Sequence, residues 1–462
     1  MKRTVFALCL VASAVFGAAA GQRGSLRAGA ARVDITPAAN PEYPPSGKFE
    51  HERLYIRAIV LDNGVTRGAL IGADLSGLGE EVYVTAVKQI AEELKCPPEN
   101  VIMSATHTHS GIRSGPPAAG VSRPPQQPTG PTVAAIMDAI RQAKAKLQPA
   151  LVGFGTGLAY LNVSRDSISE DTHLWTQAAN QDGPSDKTVA VVKFTTASGE
   201  PIAAYINYAM HPVNGYLVGI TSADFAGAAC RWVEQAFDDK MVTIFSQGAS
   251  GDQNPLLMRP STNALASKSG VKITGYELVR ESVEGPLREG QVPHGKIDPK
   301  VADRFERWME AEGMLLGEEV IRVMTKTRRM SSDITIWGAQ KPLTCPGRQR
   351  TNTGREGQPG TYQDGDPVVF RLGVLGIGDI ALTTVNAEIY NLISQRMKKQ
   401  SPMANTVMVT IANGRANSGY VPNDTAFGAY TFQVLGSRLK PGCAEQGIAN
   451  TLADLVAEYA GK

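Results

Sequence analysis

Net charge is nearly absent from this chain. Its 462 residues carry 46 Lys and Arg against 44 Asp and Glu, a formal charge of +2. So small a surplus leaves no electrostatic footprint for nucleic acid, and no basic run flanks an aromatic platform. Long hydrophobic runs are scarce too. The one at the start, Val5 to Ala20, is short for a membrane span. It follows Met1-Lys2-Arg3 and ends in Ala18-Ala19-Ala20, the pattern of a cleaved secretory signal over residues 1–20. Cys9 lies inside the run without a small-residue lipidation box before it, which argues against a lipoprotein. Cleavage near Gly21 removes Lys2 and Arg3 and leaves no net formal charge. The expected location is secreted or periplasmic.

Cysteine is sparse as well. After cleavage Cys96, Cys230, Cys345 and Cys443 remain, far apart and without metal-type spacing. Two disulfides in any of three connectivities, or free buried thiols, are all open. A chain this long buries large cores without needing either. No internal repeat and no heptad pattern is evident, and no linker divides the chain, so residues 21–462 read as one large domain.

The elements that are present alternate. Strands are expected at Ala28 to Pro37, Leu54 to Leu61, Ala69 to Ala73 and Val101 to Ser104, with a helix over Glu80 to Leu94. Further helices are expected at Thr132 to Leu147, Ala226 to Phe237, Pro299 to Lys326 and Ala387 to Lys398. Thr188 to Thr195 and Ile202 to Tyr208 read as paired strands; Met241 to Phe245, Val368 to Leu375 and Ile380 to Val385 read as others. Gly111 to Gly130 and Pro346 to Pro367 read as loops. The fold class is α/β, mixed sheets flanked by helices.

Histidine is the scarcest chemistry-bearing residue, at six, and two of the six fall in Ala105-Thr106-His107-Thr108-His109-Ser110-Gly111. Strand alternation would turn His107 and His109 to one side, at the strand end where α/β ligands gather. His211, in Asn207-Tyr208-Ala209-Met210-His211-Pro212, closes another strand, with Pro212 biasing it toward extended backbone. Alone it reads as structural; with His107 it offers a second neutral nitrogen to a zinc ion. Gly248 to Pro255 (GASGDQNP) is a Gly-rich turn after a strand; Asp252, Gln253 and Asn254 offer orienting hydrogen bonds, and the Lys-Ser/Thr ending of a phosphate loop is missing. Glu388 and Tyr420 sit in short polar segments that attract no notice alone.

In order, SATHTHSG, NVSR, NYAMHP, SADF, GASGDQNP and NSGYVP resemble the catalytic domain of the neutral/alkaline non-lysosomal ceramidase family, from about Arg27 onward. The resemblance implies a zinc-dependent hydrolase of the N-acyl amide bond of ceramide or a related N-acyl lipid. It implies zinc ligands at His107, His211, Glu388 and Tyr420, with His109 placed at the scissile amide. Arg165, Asp252 and Asn254 fall in its substrate-binding segments. A lipid substrate also implies contact with a membrane surface; oligomeric state is not legible. The chain departs from the family pattern in three places. Asn254 stands where ceramidases carry a serine, which removes a serine nucleophile. Phe432 stands in place of a downstream tyrosine. The chain reads as ending before the family's C-terminal β-sandwich domain. The same metal chemistry would suit another amide, an ester or a lactone, and a silent ligand-binding relative is the reading from outside enzymology.

Overall fold

In the computed structural model the described residues are 22–36, 53–110, 129–214, 222–256, 299–353 and 356–461, with side chains described from 306 onward in the helix that begins at Pro299. The expected signal peptide and most of the expected loop Gly111 to Gly130 lie outside them.

Three sheets are built to one plan. In the first, β1 (Arg27–Asp34), β2 (Tyr55–Asp62) and β3 (Arg67–Ala73) form an antiparallel meander, and β4 (Val101–Ala105) joins β3 in parallel through helix α1 (Glu80–Leu94). Helix α2 (Thr129–Ala145) packs beside α1 on that sheet. In the second, β5 (Leu151–Leu158), β6 (Thr188–Thr195) and β7 (Pro201–Tyr208) are antiparallel. Strand β8 (Val242–Gln247) joins β7 in parallel after helix α3 (Asp224–Ala236). Helix α4 (Pro299–Lys326) packs on α3, with Val320, Val323 and Met324 in the same core as Phe225 and Val233. In the third, β9 (Ile336–Arg350), β10 (Tyr362–Ile377) and β11 (Ile380–Val385) are antiparallel, and β12 (Thr406–Val409) joins β11 in parallel through helix α5 (Asn391–Gln400). Helix α6 (Ala444–Ala460) covers this sheet through Ile448, Leu452 and Val456.

Parallel pairing requires a crossover, and a helix is the usual one. The recurrence is structural only, since no sequence repeat accompanies it. Its consequence is positional. Each parallel pair releases its chain at the same end, and the three ends meet. Ala105 donates to Ile411 O at 3.3 Å, and Thr410 donates to Gln247 O at 2.9 Å. The buried Gln247 amide donates to Met210 O at 2.8 Å and Thr106 O at 3.4 Å, tying the chain beyond β7 to that beyond β4. One apolar cluster, with Leu70, Ile102, Tyr205, Ile244, Leu382 and Val409, runs across all three sheets beneath the junction.

Three sequence expectations change. Pro346 to Pro367 is strand at both ends: β9 runs to Arg350 and β10 begins at Tyr362, so the two form a long hairpin and only the stretch between them lies outside the strands. The expected helix at Ala387 begins only at Asn391, because Glu388–Ile389 pairs in parallel with Tyr420–Val421. Helix α6 had no expected counterpart. Among the cysteines, Cys345 and Cys443 are bonded, with Cα atoms 5.7 Å apart, and Cys96 and Cys230 are free.

Candidate metal centre and active site

The buried apolar side chains of β4 drive it into the core, and its end sets His107. Beyond Ala105 the backbone stays tied to the end of β3: Thr106 donates to Ala73 O at 2.9 Å and His107 to Leu75 O at 3.0 Å. His107 itself has φ of 66°, a left-handed conformation unfavourable for a residue with a Cβ, and of a kind that persists only where surrounding contacts enforce it. Its Nδ1 lies 2.6 Å from Ser76 O. The turn brings the chain back, so that His109 Nε2 is 3.4 Å from His107 Nε2. The two rings therefore converge through a left-handed turn, and strand alternation is not the cause. His109 N donates to Pro212 O at 3.1 Å, which joins this turn to the segment of the third histidine.

His211 follows β7 and is fully buried. Its backbone N–H donates to Gln253 O at 3.1 Å, and its Nδ1 lies 2.7 Å from Ser250 O in the Gly-rich turn after β8. Both His107 and His211 thus direct Nδ1–H at a carbonyl, which fixes the tautomer and leaves Nε2 as a bare lone pair. Both lone pairs face the same carboxylate oxygen. Glu388 Oε2 is 3.3 Å from His107 Nε2 and 3.5 Å from His211 Nε2. Neither His211 Nε2 nor Glu388 Oε2 has a hydrogen-bond partner, although both are buried. Three acceptors turned on one another repel unless a positive charge lies among them.

The titration of these groups follows. Burial, helped by the Arg165 charge, pushes His211 down to about 4. Burial also takes His109 well below the ordinary histidine value, with the neighbouring His107 and His211 adding to it. For Glu388 burial acts upward, but a positive charge on the ring side, such as a proton held between the carboxylate and the facing His107 and His211 nitrogens, outweighs it and holds the carboxyl well below its usual range. Neutral imidazole nitrogens and an anionic oxygen form a donor set suited to zinc. The nearest ring nitrogens of His107, His109 and His211 all lie within 4.8 Å of one another, so the third imidazole borders the same point.

Tyr420 arrives through the register of the short parallel pair, directly beside Glu388. Its ring is 6.4 Å from that of His211. Burial and the Glu388 charge raise its phenol above the ordinary value, against the opposing pull of Arg165. The buried Arg165 guanidinium lies 5.2 Å from the Tyr420 ring and 5.1 Å from the Phe432 ring. It donates to Asn254 Oδ1 at 3.2 Å and to Gly251 O at 2.5 Å. The residue at the family's serine position is thus occupied in orienting this arginine.

Asp252 is placed differently from the rest. Its carboxylate turns to the start of α5, accepting from the Asn391 backbone N–H at 2.9 Å and from the Asn391 amide. Burial pushes it up to about 7, the Asp166 charge adding and the Asn391 contacts opposing. The residues that sequence reasoning missed act through backbone: Ser76 and Ser250 hold the ligand rings by their carbonyls, which no side-chain type announces. Gln247 left one signal, a fully buried polar residue closing an apolar strand.

The model of the N-terminal domain of neutral/alkaline non-lysosomal ceramidase matches residues 39–289. Neutral ceramidase B of Dictyostelium discoideum is 27% identical over 255 residues, which is 50% of this chain and 34% of that protein. The chain therefore spans about a third of that relative's length. Two solved structures share the fold over 95% of this chain and 75% of theirs. One is a ceramidase complexed with C2, at 17% identity and a TM-score of 0.67. The other is the neutral ceramidase from Pseudomonas aeruginosa, at 16% identity and a TM-score of 0.63. With more than half its length matched by the family model, and the ceramidase fold throughout, the chain belongs to the neutral/alkaline non-lysosomal ceramidase family.

Proposed function

We propose that this protein hydrolyses the N-acyl amide bond of ceramide or a related N-acyl lipid, with zinc held by His107, His211, Glu388 and Tyr420. The observation that carries the reading is the convergence of two tautomer-fixed Nε2 lone pairs on the unpartnered Glu388 Oε2. Zinc at such a site supplies a nucleophilic water near neutral pH and polarises the acyl carbonyl.

The chain's own residues supply the rest. His109 is neutral, so its ring can take a proton from the attacking water and pass it to the departing amine. Tyr420, buried beside the Glu388 charge, is held as a neutral phenol against the pull of Arg165 and can donate to the developing oxyanion. Asn254 cannot attack a carbonyl, and its amide oxygen serves Arg165, which supports water over a side chain at this position as the nucleophile. Residues 1–20 serve as a cleaved signal and the protein works outside the cytoplasm, a location that suits the Cys345–Cys443 bond.

The test is fatty-acid release, followed by mass spectrometry, from ceramides and simpler N-acyl amides by the full chain loaded with zinc. Activity that disappears on chelation and returns with zinc is expected. Stoichiometric zinc with no acid released from any amide would refute the proposal.

A further inference from the structure

Away from the imidazole cluster, α3 and α4 enclose a second group of buried polar side chains. The helices touch closely there, because a Cβ at Gly313 would collide with Ala228 Cβ. That approach sets Glu312 of α4 against the start of α3. Asp224, the first residue of α3, has a left-handed φ of 57°, and its Oδ1 accepts from Phe225 N at 2.7 Å. Asn214 bridges the two acids: its Nδ2 donates to Glu312 Oε2 at 2.6 Å and to Asp224 Oδ1 at 3.2 Å. Asp224 and Glu312 are fully buried and Asn214 is 1% exposed.

The hydrogen bonding is incomplete in one sense only. Asn214 Oδ1 and Glu312 Oε1 are both buried acceptors without a donor. A proton on Glu312 Oε1 would turn that acceptor into a donor and leave Asn214 Oδ1 unanswered, and burial beside Asp224 does raise that carboxyl well above its usual range. A cation between the carboxylates would answer the acid oxygens directly, and Asn214 Oδ1 as well once its amide is turned. Hard divalent ions take about six to eight oxygen ligands from carboxylates, amide oxygens and waters. A half-turn of the Asn214 amide exchanges nitrogen for oxygen and would set Oδ1 between the two carboxylates.

We infer that Glu312, Asn214 and Asp224 form a second cation site, for a hard ion such as calcium or magnesium, separate from the zinc-type centre. Its location gives it an effect on that centre. Two residues before Asp224, Ser222 donates to Ser110 O at 2.7 Å, and its own carbonyl accepts from Thr108 Oγ1 at 2.7 Å. An ion at Asp224 would brace the strap that clamps the residues on either side of His109.

The experiment uses the full chain with the imidazole centre first filled with zinc, and terbium(III) as the luminescent substitute for calcium. Trp308, one helical turn before Glu312, is the antenna. Tryptophan-sensitised terbium emission is expected, displaced by calcium, and calcium alone should raise Tm. Removing one ligand charge in Glu312→Gln should weaken terbium binding by about tenfold or more and abolish the calcium-dependent rise in Tm. Asn214→Ala, which keeps both carboxylates, should also weaken terbium binding and serves if Glu312→Gln does not fold. Equal terbium emission and equal Tm response in wild type and either folded variant would overturn the site. So would a wild type that takes up no hard cation; Glu312 would then simply be a buried neutral acid.

Discussion

Replacing Asp252 by asparagine should flatten part of the pH dependence of stability. The Asp252 carboxyl is 3% exposed and stands at about 7 in the folded protein, against 3.8 for a free side chain. The folded state therefore holds this proton more tightly than the unfolded state throughout that interval. The stabilisation is full below the unfolded value and is lost as pH rises through about 7. At about 1.4 kcal/mol per pH unit, the whole interval costs about 4 kcal/mol, and the part between about pH 5 and pH 8 about 3 kcal/mol. The substituted side chain would still accept from the Asn391 backbone, but would turn an NH2 toward the Asn391 amide, losing about 1 kcal/mol at every pH. Urea unfolding at about pH 5, 6, 7 and 8 should show wild type the more stable at the acid end and Asp252→Asn the more stable at the alkaline end. Curves that stay parallel over that range would refute the assignment of a neutral, buried Asp252.

Three other outcomes follow from the structure. His107→Ala and His211→Ala should lose most bound zinc, while His109→Ala keeps it and loses turnover; metal analysis and fatty-acid release check both, and equal zinc in all three would refute the ligand assignment. Reducing the Cys345–Cys443 bond, which closes a separation of 98 residues, should cost up to about 5 kcal/mol and lower Tm. Thiol titration of the denatured, unreduced chain without its first twenty residues should find only Cys96 and Cys230. Gly376→Ala would drive a Cβ into the Tyr459 ring, which is stacked on Trp337 and whose hydroxyl donates to Gly378 O, and should cost about 1–3 kcal/mol by urea unfolding.

Legibility in the sequence followed the chemistry of side chains. The apolar periodicities of α1 and α2 marked those helices closely, because each buries one face; α3, read nearly in place, is buried all round at its start and one-sided only beyond Cys230. The outer part of the β9–β10 hairpin was read as loop because it is polar and Gly-rich and shows no apolar alternation, whereas the inner part of β10, Val368 to Leu375, was read as strand. Helix α6 was not read, although Ile448, Leu452, Leu455 and Tyr459 recur at helical spacing on its buried face. His107, His109 and His211 were conspicuous through rarity. Glu388 and Tyr420 had no such signal, and only the family's ordered motifs singled them out.

The sequence by itself determined the donors: two imidazoles after β4, one after β7 and a carboxylate after β11, each released where an apolar run ends, and a phenol in the polar segment well beyond β12. Tertiary structure decided that these ends coincide. Parallel pairing at the edge of each sheet sends every chain out at one end, and the buried amide of Gln247 joins two of those ends. Orientation was also decided there. The carbonyls of Ser76 and Ser250 and the left-handed turn at His107 aim the rings, and these are backbone groups common to every residue type. Periodicity along the chain carries no trace of them.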